Sequence, residues 1–231
     1  MIISTEELGV IELSLRVALV SMIFMLPVAI GFAWLLSRRE FPGKALVDAA
    51  VHLPLVLPPV VLGYGLLLLL GRKGPIGGLL HDWFGIALAF TWQGAAIAAG
   101  LSGLPFAVRA IRLSFDLIDR RLELAARTLG AGPVRVFATI TLPLALPGVL
   151  AGAILAFARG LGEFGATITF VSDIPGETRT LSLAVHTLLQ APGGEAAAVR
   201  LSVVAVVLAM VALMGSEYFN RHLSRRLGLR P

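Results

Sequence analysis

Arg159 and Glu163 stand four residues apart at the end of a long uncharged stretch, 136–158. On a helix that spacing puts both side chains on one side, within reach of an ion pair. Two readings are open. The pair neutralises itself inside a membrane, as charges there usually do, or Arg159 keeps its charge for a functional role and Glu163 holds it in place. Other reactive groupings are scarce. The chain has no Cys, which excludes disulfides, thiolate metal sites and Cys nucleophiles. His52, His81, His186 and His222 show no metal-ligand spacing, and no Ser-His-Asp arrangement can be assembled. No Gly-rich Lys loop is present, and Gly63-Tyr64-Gly65 is too short to cradle phosphates, so the chain is not expected to bind ATP, a metal or any other cofactor itself.

A second grouping is suited to docking rather than to reaction. Asp119 can cap a short helix through its carboxylate, and Gly130 can stop it. Between them Leu122, Ala125, Ala126 and Leu129 recur at i, i+3, i+4 and i+7, with Glu123 beside them. This predicts one apolar stripe. Pro133 then suits the first turn of a following helix. A helix this short is unstable alone, so it must pack on something. Periodicity leaves its own bundle, the lipid interface and a partner protein all open.

These groups have to be positioned by a membrane bundle. The chain has 231 residues, 57% hydrophobic and only 14% charged, against about 25% charged in an ordinary soluble domain. Its mean hydropathy is +0.90. A helix crosses the roughly 30 Å hydrocarbon core with about 20 apolar residues. Stretches 13–36, 53–70, 84–108, 136–158 and 201–219 meet or nearly meet that length. Stretch 164–190 is broken by Asp173, Pro175, Glu177 and Arg179 and reads as a re-entrant or broken segment with an outer loop. The expected fold is an all-α membrane protein: one transmembrane domain over 1–231, five principal helices with this re-entrant or broken segment, and a loop at about 114–135. The acidic start, Met1-Ile2-Ile3-Ser4-Thr5-Glu6-Glu7, and the long apolar run after it do not suggest a secretory signal.

Basic residues predict the orientation. Arg38, Arg39 and Lys44 follow the first stretch; Arg109, Arg112, Arg120, Arg121, Arg127 and Arg135 follow the third; Arg221, Arg225, Arg226 and Arg230 close the chain. The other side carries Arg72, Lys73, Arg179 and Arg200. By the positive-inside rule the N-terminus is outside and the C-terminus cytoplasmic. The net charge of +5 is thus read as loop anchoring, with no basic, aromatic-interleaved stripe for nucleic acid. Prolines within the stretches, Pro58 and Pro59 above all, either kink ordinary packing or shape a permeation pathway.

The order of residues in the loop narrows these alternatives. Ala125-Ala126-x-x-x-Gly130, nine residues, then Ile140-Thr141-Leu142-Pro143 resembles the signature of binding-protein-dependent ABC importer permeases. In that family Glu commonly precedes the Ala pair; here Leu124 does, and Glu123 lies one residue earlier. The resemblance implies that the helix is a coupling helix, with Leu122, Glu123, Ala125, Ala126, Leu129 and Gly130 meeting a cytoplasmic ATPase. Further stretches are similar to molybdate ABC transporter permeases: Phe41-Pro42-Gly43-Lys44, His52-Leu53-Pro54-Leu55-Val56-Leu57-Pro58-Pro59, Arg159-Gly160-Leu161-Gly162-Glu163-Phe164-Gly165 and Ile174-Pro175-Gly176-Glu177-Thr178. That likeness implies a type I importer bundle that works as a homodimer in the bacterial inner membrane. It implies an ATPase dimer holding ATP and Mg, an external molybdate-binding protein, and a path near Pro58, Pro59, Arg159 and Glu163. Tungstate or sulfate are alternative cargoes; a structural scaffold or an intramembrane enzyme are alternatives of other classes. Asp173, Glu177 and Glu195 are candidates to meet the binding protein.

Overall fold

A computed structural model describes residues 4–226, with side chains described as far as Gly215. The side chains of Arg221, Arg225, Arg226 and Arg230, which carry part of the predicted charge asymmetry, lie outside the described residues, as does His222. Among the described residues every regular element is helical.

The first helix, α1 (Thr5–Arg38), opens on a capping box. The Ser4 hydroxyl accepts from the Glu7 N–H at 3.2 Å, and the Glu7 carboxylate accepts from the Ser4 N–H at 2.8 Å, so two otherwise free donors are satisfied. Next come α2 (Lys44–Val56), α3 (Pro59–Leu70), α4 (Pro75–Phe84) and α5 (Trp92–Leu117). The short α6 (Arg120–Thr128) follows, then α7 (Pro133–Val136), a π turn at Phe137–Thr141 and α8 (Leu142–Leu161), which run on as one rod. The chain ends with α9 (Gly165–Val171), α10 (Leu181–Gln190) and α11 (Glu195–Arg226).

Helix α5 is the centre of the bundle. Its apolar stretch is 67% buried, against 11% for α11. Helices α1 and α8 lie along it, and small residues set the approach. A Cβ on Gly103 would meet the Ala156 Cα at 3.2 Å, and one on Gly152 would meet the Ala107 carbonyl at 3.0 Å. Outward faces stay apolar: Phe24, Val56, Val199, Val211 and Met214 are all exposed. A bilayer can solvate such surface, and the helices satisfy their own backbones as lipid demands.

Four helices are long and apolar enough to cross a membrane, and five if α2 and α3 form one broken span. The stretch at 53–70 is therefore corrected. Its prolines do not kink one helix; they divide two that meet at 116°. Leu57 is extended, with ψ 139°, as a residue before proline prefers, and Pro59 starts the next helix at a position where its missing N–H costs nothing. The stretch at 84–108 is shifted. Gly85 ends α4 at φ +67°, and the Thr91 hydroxyl accepts from the Gly94 N–H at 3.3 Å, which starts α5 only at Trp92. The broken segment at 164–190 is α9 and α10 joined by a turn.

Candidate functional site: a capped loop helix and an ion pair

Helix α6 forms as its sequence signals suggest. The Asp119 carboxylate accepts from the Arg121 N–H at 2.9 Å. At the other end Gly130 has φ +87°. Its N–H reaches the Arg127 carbonyl and that of Ala131 the Ala126 carbonyl, both at 3.0 Å, the paired closure of a Schellman cap. The predicted stripe needs correction. No residue of α6 is buried. Leu122, Ala125 and Leu129 are exposed, whereas Ala126 turns inward together with Glu123. Leu124, expected on no particular face, is exposed too. The outer surface of α6 is thus an apolar patch crowned by Leu129, 88% exposed.

Glu123 is held inside the chain. One carboxylate oxygen lies 3.1 Å from Arg38 Nη2 at the end of α1, and it accepts from the Thr141 hydroxyl at 2.8 Å. Both charged side chains are largely shielded, at 7% and 13% exposure, and Thr141 is buried. The sequence reading missed Arg38 and Thr141 as partners. The rule that a shielded charge must be paired would have asked for a cation, but not which one. Two further ties fasten this end: the Ser37 hydroxyl donates to Asp116 at 2.5 Å and Arg120 donates to the Ser37 carbonyl at 3.3 Å. The π turn that presents Thr141 precedes Pro143. Pro143 has no N–H to offer the preceding turn, and the widened turn re-routes the backbone bond from Leu142 to Phe137.

At the opposite end of α8, Arg159 Nη1 lies 2.6 Å from Glu163 Oε2. The expected pair exists, but on different geometry. Helix α8 ends at Leu161, so Glu163 sits past it, in the link to α9. Its other oxygen accepts from the Ala166 N–H at 2.9 Å, capping the first turn of α9. Glu163 is 1% exposed and Arg159 31%, so the carboxylate is enclosed and the cation reaches outward. Pro59 meets this link directly: a Cβ on Gly165 would fall 2.6 Å from the Pro59 Cβ. Gly63 packs against α9 just as closely, its would-be Cβ 2.5 Å from the Ala166 carbonyl. Pro58 is exposed at the break between α2 and α3. Pro59 and Glu163, distant in sequence, are therefore brought to one neighbourhood.

The outer-loop candidates divide. Asp173 is spent internally, accepting from Arg179 at 2.8 Å and from the Thr187 hydroxyl at 2.6 Å. Glu177 and Glu195 are exposed. Arg16, the lone charge in the first stretch, is exposed and lies over the Trp92 ring at 3.9 Å, a cation–π contact. A cavity of about 840 Å³ lies between α1, the 175–179 turn, α10 and α11, with Glu12, Arg16, Arg179 and Arg200 on its wall. None of the predicted path residues lines it. Among the described residues no group of acidic or His side chains is placed to hold a metal.

The family model for the binding-protein-dependent transport system inner membrane component matches residues 15–228. The chain belongs to this family. Within the inner membrane components, it is 58% identical to the molybdenum transport system permease protein ModB of Escherichia coli (strain K12), over 99% of this chain and 100% of that one. It is 54% identical to ModB of Haemophilus influenzae, over 96% and 97% of the two chains. Identity to the sulfate transport system permease protein CysT of Salmonella typhimurium is 37%, over 78% of this chain and 64% of that one. The fold matches a chain of a bacterial ABC transporter involved in import of the acidic polysaccharide alginate, with TM-score 0.69 at 19% identity, covering 96% of this chain and 80% of that one. A chain of the inward-facing MetNI methionine ABC transporter gives TM-score 0.68 at 17% identity, covering 91% and 93%. The expected type I importer bundle is the fold of this inner membrane component.

Proposed function

We propose that this chain is the transmembrane subunit of an ATP-driven molybdate importer. The observation that carries the reading is the 58% identity to a molybdenum permease along its whole length. The geometry suits the task. A permease needs a path and a lever, not a reacting group.

In this reading two copies pair about a two-fold axis, the commonest closed symmetry, in the bacterial inner membrane. The N-terminus is outside and α6 is cytoplasmic. The exposed face of α6, with Leu122, Ala125 and Leu129, seats on an ATPase dimer that holds ATP and Mg. An external binding protein delivers the anion, with Glu177 and Glu195 free to meet it. Closure of the ATPase moves the paired α6 helices together, and the bundles rock as rigid bodies to open outward. Molybdate is a tetrahedral dianion, and its route needs donors and positive potential without a trap. Arg159 supplies that charge, with Glu163 orienting it and Pro58 and Pro59 shaping the wall.

The test is ATP-dependent uptake by the purified complex in proteoliposomes, with tungstate and sulfate as competitors. Molybdate uptake that excess sulfate barely inhibits is expected. Sulfate is the second reading, favoured by the 37% identity to a sulfate permease; uptake of sulfate in preference to molybdate would establish it instead. A complex that moves none of these anions would overturn both.

A further inference from the structure

We propose that Glu123 is a positioning residue: an internal clasp that ties the coupling helix to α1 and to the head of α8, and does not itself meet the ATPase. This rests on the reading of α6 as the element that meets the ATPase. Each residue advances about 100° around a helix. The position immediately before the Ala pair, Leu124, therefore faces outward with the docking surface, and Glu123 faces inward. Leu124 is 58% exposed, while the Glu123 side chain is 13% exposed and already contacts Arg38 and Thr141. A carboxylate shielded in this way would have to abandon both partners to reach another subunit, at the full cost of leaving buried polar groups unpaired.

The partners explain what the clasp does. Thr141 belongs to the second half of the loop signature and lies in the π turn that heads α8. Arg159 is near the far end of that helix, eighteen positions on, or roughly 27 Å at 1.5 Å per residue. A push on α6 thus enters α8 through one short hydrogen bond, and enters α1 through one ion pair and the longer bond from Arg120 to the Ser37 carbonyl. Without the clasp, α6 keeps its caps and its outer face. It can still seat on the ATPase, but it is joined to the bundle only by its loops and the Arg120 bond to the Ser37 carbonyl.

The experiment uses the assembled complex in lipid. Glu123→Gln is expected to retain the ATPase subunits and hydrolyse ATP within about twofold of wild type, while uptake per ATP falls about tenfold, the scale set by losing a charge-assisted bond. Amide exchange across 122–130 is expected to quicken. Thr141→Val removes one donor and should move both readouts the same way by less. The charge exchange Arg38→Glu with Glu123→Arg should recover part of the coupling. Unchanged uptake per ATP in Glu123→Gln overturns the clasp. So does loss of the ATPase subunits with unchanged exchange in α6, which would mark a direct contact. If Glu123→Gln fails to assemble, Thr141→Val decides by the same readouts. Amide exchange needs no cargo, so a wild-type complex that ignores molybdate removes the molybdate reading without touching this one.

Discussion

Gly63 and Gly65 lie two residues apart on α3 and should respond oppositely to one added methyl group. A Cβ at Gly63 would meet the Ala166 carbonyl at 2.5 Å and the Ala166 Cα at 2.9 Å, both backbone atoms of α9, whereas a Cβ at Gly65 meets nothing within 4 Å. Backbone cannot swing aside as a flexible side chain can, so Gly63→Ala should cost about 1–3 kcal/mol. It should lower the melting temperature in detergent, with Gly65→Ala near wild type. Equal melting would mean that α9 yields freely. Arg159 is the other decisive residue. Arg159→Gln should lower uptake at least about tenfold, equivalent to about 1.4 kcal/mol, in a complex that still assembles. Intact uptake would leave the pair a structural one. Glu163→Gln keeps an oxygen for the Ala166 N–H and should be milder than Glu163→Ala, which leaves that donor and the cation unpaired.

Helix α6 is the element where exposure and sequence chemistry disagree most usefully. Apolar residues on a capped, nine-residue helix with no buried side chain are costly in water unless a partner covers them. Leu129→Asp should leave the bundle's thermal stability unchanged, because the side chain is 88% exposed. Capture of the ATPase subunits should drop severalfold. Full capture with Leu129→Asp would place the docking face elsewhere. The stripe was readable from periodicity, but its facing was not: Glu123 and Ala126 turn inward because Arg38 and Thr141 wait there. The broken span teaches the same lesson. The Pro58-Pro59 pair announces an interruption, yet the 116° turn depends on what α3 packs against, and Gly63 and Pro59 pack against α9.

For the whole molecule, the orientation can be tested directly because the chain contains no Cys. A single Cys at Glu177 should react with an impermeant reagent added outside intact cells. One at Arg127 should react only after the membrane is opened. The reverse pattern would invert the topology and move α6 away from any cytoplasmic ATPase. The two ends of the bundle also differ in construction. The α6 end is laced by Ser37–Asp116, Arg38–Glu123 and Arg112–Asp48, while the middle is held by close contacts of small residues such as Gly103 and Gly152. Polar ties hold a fixed geometry in the loops, and small-residue packing allows long helices to move together as rods.

The sequence by itself determined the membrane class, the helical fold and the loop signature. Hydropathy, capping residues and the spacing from Ala125 to Pro143 are local or one-dimensional properties, and lipid leaves helices as the available way to satisfy these backbones. It also placed Arg159 near Glu163, since four residues is a short range. Only the tertiary structure decided which face of α6 is free, that Glu123 answers to Arg38, and that Pro59 meets the link after Glu163. Those contacts join segments up to about a hundred residues apart. Their pairing follows from how helices settle around α5, and spacing along the chain carries no record of that.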